Sequence, residues 1–318
     1  MDDAMKQDIL LESGTNEMEI IEFYVGGQPL GINVQKLKEI LSYNENDLTV
    51  IPERDPAMMG VLMMRGTTIP LIDLKVHLNQ SCPEPPQTEN RPIVLVCEFN
   101  RRINGFKVDG VNQIHRIRWT EVKPLAEFID QYRPRFTGSV NIEGREILIL
   151  DLEYIIGEFD PESVFKGQME NQEDLYSVAD QRKGQKVLMA EDSTLIRENL
   201  TAILHDVGFD ALEIFVDGDA CYQWLLELKQ QGEQAGDSIE KHLQLVISDI
   251  EMPKMDGLTL CRKIKEELKL VKVPVVLFSS LITKPMEHKC DSVGADGYAS
   301  KPEVVKLIQI IDRYLGID

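Results

Sequence analysis

Asp249-Ile250-Glu251-Met252-Pro253-Lys254-Met255-Asp256-Gly257 is the stretch whose reading decides the fold of the C-terminal part of this chain. An apolar run at 243–248 precedes it and reads as a buried strand, and Pro253 with Asp256-Gly257 then turns the chain into a helical pattern. Working outward, strands are expected at 186–190, 211–216, 273–278 and 297–300, with helical patterns between them. The first helix carries Ile196, Leu200, Ile203 and Val207 on one face, and the last carries Val304, Leu307, Ile308 and Ile311. Five successive strand–helix units imply an α/β, doubly wound, five-stranded parallel sheet, with its site at the C-terminal ends of the strands.

The chemistry-bearing residues fall at those ends. Glu191-Asp192 follows the first strand, Asp249 ends the third, Ser279 ends the fourth and Lys301 follows the fifth. Three carboxylates aimed at one place repel each other unless a hard cation sits among them, and Mg²⁺ prefers such oxygens together with water and phosphate. A carboxylate oxygen could then attack phosphorus, with a hydroxyl and an ammonium pairing the phosphoryl oxygens. The pattern points to formation of an acyl phosphate.

The quoted stretch resembles the DxxMPxxDG signature of two-component receiver domains. Glu191-Asp192, Ser279 and Lys301-Pro302 stand where that family has its acidic pair, its switch hydroxyl and its lysine, with 30 residues from Asp249 to Ser279 and 22 from there to Lys301. The resemblance implies that Asp249 is the phosphoacceptor, and that Glu191, Asp192, Asp249 and the backbone carbonyl of Glu251 hold Mg²⁺. It further implies that Ser279 and Lys301 bind the phosphoryl group, and that Tyr298 is the aromatic that moves with it. One departure is the 57 residues between Asp192 and Asp249, about a dozen more than such domains show. The excess, residues 230–238, is polar and is expected to form a surface loop.

The N-terminal half is different in kind. Short apolar runs (20–25, 29–32, 69–72, 93–96, 105–108, 147–150) alternate with Gly and Asn turns, which implies a mostly β domain. Shifting residues 65–74 by 78 positions onto 143–152 superimposes Gly66 on Gly144, Ile69 on Ile147, Asp73 on Asp151 and Leu74 on Leu152. Each copy reads as turn, strand, and an aspartate capping a short helix. This half offers no nucleophile with a base, no phosphate loop and no metal cluster, so it reads as a binding module. The segments 31–40, 60–66 and 69–74, with Val108-Asp109-Gly110-Val111 and Thr137-Gly138-Ser139-Val140, resemble the CheW family of chemotaxis adaptors. That likeness implies a double SH3-like barrel of five strands each. It also implies binding to the cytoplasmic tips of chemoreceptors and to the histidine kinase CheA, with Leu37, Glu39 and Arg65 at contact positions. Leu41 and Ser42, after what reads as a helix-like segment, depart from the family pattern.

Composition sets the outer bounds. The 318 residues are 43% hydrophobic and 28% charged, enough for two or three soluble domains. A net charge of -20 argues against nucleic-acid binding, which needs a basic face, and against anionic lipid. Five cysteines without metal spacing read as free thiols, and there is neither a signal-peptide pattern nor an apolar run of ~20 residues that could insert in a membrane. The expected organisation is a flexible tail at 1–16, an adaptor at 17–157, an acidic linker at 158–184 and a receiver at 185–318. That order resembles the CheV coupling proteins. It implies a cytoplasmic protein of chemoreceptor arrays that accepts one phosphoryl group without enzymatic turnover. The rival reading, a Mg²⁺-dependent phosphohydrolase with Asp249 as nucleophile, would need that nucleophile on an early strand and a further general acid.

Overall fold

A computed structural model of the chain describes residues 14–52, 55–78, 92–100, 102–125, 135–159, 169 and 173–317. It divides into two compact units. One comprises Glu19–Ile117 and Gly138–Leu150; the other comprises Arg118–Thr137 and Asp151–Asp318 with the residues up to Met18.

The first unit is built from β1 (Glu17–Val25), β2 (Gln28–Asn33), β3 (Leu37–Ser42), β4 (Leu48–Thr49), β5 (Met58–Met64), β6 (Thr67–Asp73), helix α1 (Leu74–His77), β7 (Ile93–Phe99), β8 (Arg102–Val108), β9 (Gly110–Arg118), β10 (Phe136–Ile142) and β11 (Arg145–Leu150). The strands form sheets of order β10-β11-β2-β1-β9 and β3-β7-β8-β6-β5-β4. The second sheet has six strands rather than the expected five, because the two-residue β4 pairs with β5. Leu62, Ile69, Leu71, Val94 and Val96 fill its core, and each such burial contributes roughly 1.5–3 kcal/mol.

The internal repeat is physical. Arg65 and Glu143 both adopt positive φ (48° and 52°), each followed by a left-handed glycine, Gly66 or Gly144, as a two-residue hairpin turn requires. Asp73 Oδ1 then accepts from the backbone N–H of Lys75 and Val76, and Asp151 Oδ1 accepts from those of Glu153 and Tyr154. The segment read as helix-like is not a helix: 34–36 makes one 3-10 turn and Leu37–Ser42 is β3. Its antiparallel ladder with β7, from Leu37 opposite Cys97 to Ser42 opposite Ile93, satisfies the backbone groups a helix would have used.

The other unit contains α2 (Leu152–Phe159), α3 (Glu173–Ser177), α4 (Ala179–Arg182), β12 (Lys186–Ala190), α5 (Thr194–Asp206), β13 (Ala211–Phe215), α6 (Gly218–Ala235), β14 (Leu245–Ser248), α7 (Gly257–Arg262), β15 (Val275–Ser279), α8 (Lys284–Ser292), β16 (Gly297–Ser300) and α9 (Val304–Leu315). Its sheet has the order β13-β12-β14-β15-β16, and its neighbours pair in parallel throughout, as the five strand–helix units imply. Alternate strand residues feed opposite cores. Leu188, Val246 and Leu277 pack with Leu225, Leu260 and Ile264, whereas Met189, Ile247 and Phe278 pack with Leu200, Leu204 and Ile308. Burial on both faces explains why these strands read as continuous apolar runs.

Two expectations fail here. The stretch 230–238 is not simply a loop: its first part continues α6 to Ala235, since Gln, Glu and Ala favour helix, and left-handed Gly236 (φ 68°) ends it. The segment 158–184, read as solvated and extended except for helix allowed around Glu173–Val178, is helical at 173–177 and also, against that reading, at 158–159 and 179–182. Arg182 is fully buried there, paired through two nitrogens with Asp312 and donating to the carbonyls of Leu175 and Val207. A partner 130 positions away satisfies the charge that local composition suggested would face water.

Candidate functional site

Backbone hydrogen bonds stitch the sheet's C-terminal edge together. Asp249 N–H donates to Ala190 C=O (2.9 Å), Glu191 N–H to Phe215 C=O (3.0 Å), and Lys301 N–H to Ser279 C=O (3.1 Å). The loop after β14 is fixed in turn. Ile250 N–H donates to Asp249 Oδ1 (2.6 Å), and Gly257 N–H donates to Ile250 C=O (2.9 Å). Asp256 caps α7 by accepting from Thr259 N–H (2.8 Å) and Oγ1 (2.7 Å). Gly257 cannot be replaced quietly, because a Cβ there would lie 1.8 Å from the Asp249 carbonyl oxygen. The Asp-Gly of the signature therefore presses α7 against the backbone that carries Asp249.

This edge brings together the residues the sequence singled out. Carboxylate oxygens of Glu191, Asp192 and Asp249 lie within 4.8 Å of one another. Lys301 Nζ sits 2.9 Å from Asp249 Oδ2 and 2.9 Å from Glu191 Oε2, and the lysine is 1% exposed. Ser279 is fully buried at the end of β15, and its Oγ accepts from Leu281 N–H (3.4 Å). Glu251 is buried in the loop after Asp249, and Tyr298 is half-buried against the core on β16.

The electrostatics are those of crowded acids. Burial, with Asp249 and Glu153 adding to it, pushes the Glu191 carboxyl well above its usual range despite Lys301. Burial, then Glu191 and Asp249, pushes Asp192 up as well. Burial works against the charge on Lys301, but Asp249, Glu153 and Glu191 outweigh it and raise its pKa well above normal. Four acids share one ammonium, and the oxygen-only donor set of Glu191, Asp192 and Asp249 fits a hard divalent cation such as Mg²⁺.

Two participants escaped the sequence reading. Glu153, the second residue of α2, places Oε2 3.4 Å from Lys301 Nζ, and its Oε1 accepts from Ser280 Oγ at 2.7 Å. Nothing in the local sequence distinguishes this glutamate from a solvated helix residue; only the packing of α2 against α5 brings it here. Arg197 also braces the acidic pair, donating to the carbonyls of Glu191 (3.0 Å) and Asp192 (2.9 Å). A cleft of about 370 Å³, lined by Phe136, Asp151, Asp192, Arg197 and Lys254 among others, opens onto the site.

The expected contact residues of the first unit lie elsewhere in the chain. Arg65 on the β5–β6 turn donates to Glu39 Oε1 on β3 (3.0 Å), linking strands that are not neighbours in the six-stranded order. The Arg65 side chain is 79% exposed, whereas Leu37 is half-buried. The described thiols Cys97, Cys221, Cys261 and Cys290 are free and buried, and burial pushes Cys97, Cys261 and Cys290 up to about 12; Cys82 lies outside the described residues. Among the described residues, no helix is long and apolar enough to cross a membrane.

Comparison with known proteins gives two family matches, a CheW-like domain over residues 19–159 and a response regulator receiver domain over residues 187–312. The chain is 31% identical over 314 residues to chemotaxis protein CheV3 of Helicobacter pylori, covering 94% of this chain and 95% of that one. It is 27% identical over 148 residues to a probable chemotaxis protein CheW of Rhizobium etli, covering 46% of this chain and 92% of that one. Among solved structures, the receiver domain of the histidine kinase CKI1 from Arabidopsis thaliana, complexed with Mg²⁺ and BeF₃⁻, matches with 22% identity and a TM-score of 0.40. That match covers 45% of this chain and 97% of that one.

Proposed function

Because the chain belongs to the CheV family of chemotaxis proteins, a coupling adaptor with a CheW-like domain and a receiver domain, we propose that Asp249 accepts a phosphoryl group and that this reaction modulates the coupling of chemoreceptors to the histidine kinase CheA. The observation that supports this best is the carboxylate of Asp249 held 2.9 Å from the buried ammonium of Lys301 inside a crowd of acids. A carboxylate oxygen of Asp249 attacks phosphorus of a phosphohistidine. The P–N bond breaks with its electron pair left on the imidazole nitrogen, and the product is an acyl phosphate. Lys301 pairs with a phosphoryl oxygen, and Ser279 donates a hydrogen bond to another.

Receiver domains typically bind Mg²⁺, and Glu191, Asp192, Asp249 and the carbonyl of Glu251 would hold it here, where it offsets the charge of carboxylates and phosphate. Attack of water on phosphorus later returns the Asp249 carboxylate and inorganic phosphate, so the site resets without turnover of an external substrate. Tyr298 follows Ser279 toward the phosphoryl group and carries the change to the surface. Leu37, Glu39 and Arg65 belong to the face that meets CheA and receptor tips, which locates the protein in cytoplasmic receptor arrays.

The test is labelling of the full chain by phospho-CheA, with and without a divalent cation. Label should require the metal, vanish in Asp249→Ala and fall strongly in Asp192→Ala. Undiminished labelling of Asp249→Ala would overturn the assignment.

A further inference from the structure

The geometry points to Glu153 as an internal occupant of the phosphoryl-binding site, a positioning residue whose docking and the phosphorylation of Asp249 exclude each other. The inference rests on the reading of Asp249 as acceptor. Glu153 is 6% exposed and keeps both carboxylate oxygens inside the site, Oε1 accepting from Ser280 Oγ (2.7 Å) and Oε2 in ion-pair range of Lys301 Nζ (3.4 Å). An ionised carboxylate only accepts hydrogen bonds, as does a phosphoryl group. Both therefore compete for Lys301, and a phosphoryl group adds about two negative charges within a few ångströms of Glu153. Lys301 already faces Asp249 and Glu191 at 2.9 Å each, so its single charge cannot serve a phosphoryl group and Glu153 as well.

What Glu153 is attached to gives the competition a consequence. It stands in the first turn of α2, whose start is capped by Asp151, whose far end is clamped by Arg135 holding Glu158 through two nitrogens (2.7 and 2.9 Å), and whose chain continues directly from β11. The helix also falls inside the CheW-like match, which runs to residue 159. Expelling Glu153 thus loosens the last helix of the adaptor sequence from the acceptor site. Coupling is reciprocal: a partner that draws α2 away frees Lys301 and makes Asp249 a better acceptor.

The experiment uses the full chain with acetyl phosphate and Mg²⁺, an acyl phosphate small enough for the cleft. Glu153→Gln keeps the shape and a hydrogen bond to Ser280 but removes the charge, and should raise the initial labelling rate on the order of tenfold. Ser280→Ala, which loosens Glu153 from its other side without touching α2, should raise it in the same direction. Amide hydrogen exchange at 152–159 should quicken in wild type on phosphorylation and be quick beforehand in Glu153→Gln. Unchanged labelling rates in both variants, or exchange at 152–159 indifferent to phosphorylation of wild type, would overturn the inference while leaving Asp249 the acceptor. Failure of wild type to take label at all would overturn the acceptor reading and this inference with it.

Discussion

Gly257→Ala should disable the proposed acceptor site without altering any acid, hydroxyl or lysine. The added Cβ would lie 1.8 Å from the Asp249 carbonyl oxygen, 2.8 Å from its carbon and 2.9 Å from Ser248 Oγ. Carbon–oxygen contacts settle near 3.3 Å, so about 1.5 Å of separation must be found. The bond from Gly257 N–H to Ile250 C=O opposes retreat of α7. The strand end must therefore give, and Asp249 moves with it. Overpacking of this kind costs about 1–3 kcal/mol, and misplacing a reacting group by about 1 Å costs on the order of 10²-fold in rate. Labelling by acetyl phosphate should fall accordingly, with urea unfolding of the receiver shifted to lower denaturant and its circular dichroism preserved. A variant labelled at the wild-type rate with unchanged stability would refute the reasoning.

Arg65→Glu should leave thermal unfolding nearly unchanged, since an exposed pair such as Arg65–Glu39 is worth roughly 0–1 kcal/mol, while weakening binding to a receptor–kinase complex measured by titration calorimetry. Loss of the fold instead would make Arg65 structural. Acid should selectively weaken the β-rich unit through Glu22. Burial alone would raise its pKa, but bonds from Arg145, His115, Asn112 and Tyr24 lower it from 4.5 to about 2. A depressed carboxyl contributes stability that is complete above the unfolded value and is lost as pH falls from 4.5 toward 2. Acid unfolding of Glu22→Gln should be flatter across that window than wild type, and parallel curves would exclude Glu22 as the cause.

The receiver was legible because its information is local. Strands buried on both faces read as apolar runs, and the acidic pair, Asp249, Ser279 and Lys301 each sit within two residues of a strand end. The repeat was legible for the same reason, as a turn, a strand and a capping aspartate need only ten consecutive residues. What stayed hidden depends on distant partners. Arg182 reads as one more charge in a polar stretch until Asp312 is beside it, and the segment that ends at Ile40 reads as helix-like until β7 supplies a ladder for Leu37–Ser42. Glu153 belongs with these, lying 96 positions before Asp249 and 148 before Lys301.

The repeat also explains how a binding module comes to hold a residue of the acceptor site. The shift that places Asp73 on Asp151 places Lys75 on Glu153, so the same position of the same capped unit carries opposite charges in the two copies. In the first copy the helix is four residues long, and its capping aspartate also pairs with Lys107 (2.9 Å). In the second the helix runs eight residues and Arg135 grips Glu158 near its end. The longer helix gives Glu153 a scaffold ordered from both ends, so holding its carboxylate against Lys301 and Ser280 costs little additional conformational entropy. That order also limits the response: displacing one carboxylate must move or melt the first turn of α2, because the cap at Asp151 fixes where residue 153 stands. On the proposed phosphorylation of Asp249, release of Glu153 would change the backbone of the first turn of α2, the kind of change that communication from receiver to adaptor requires.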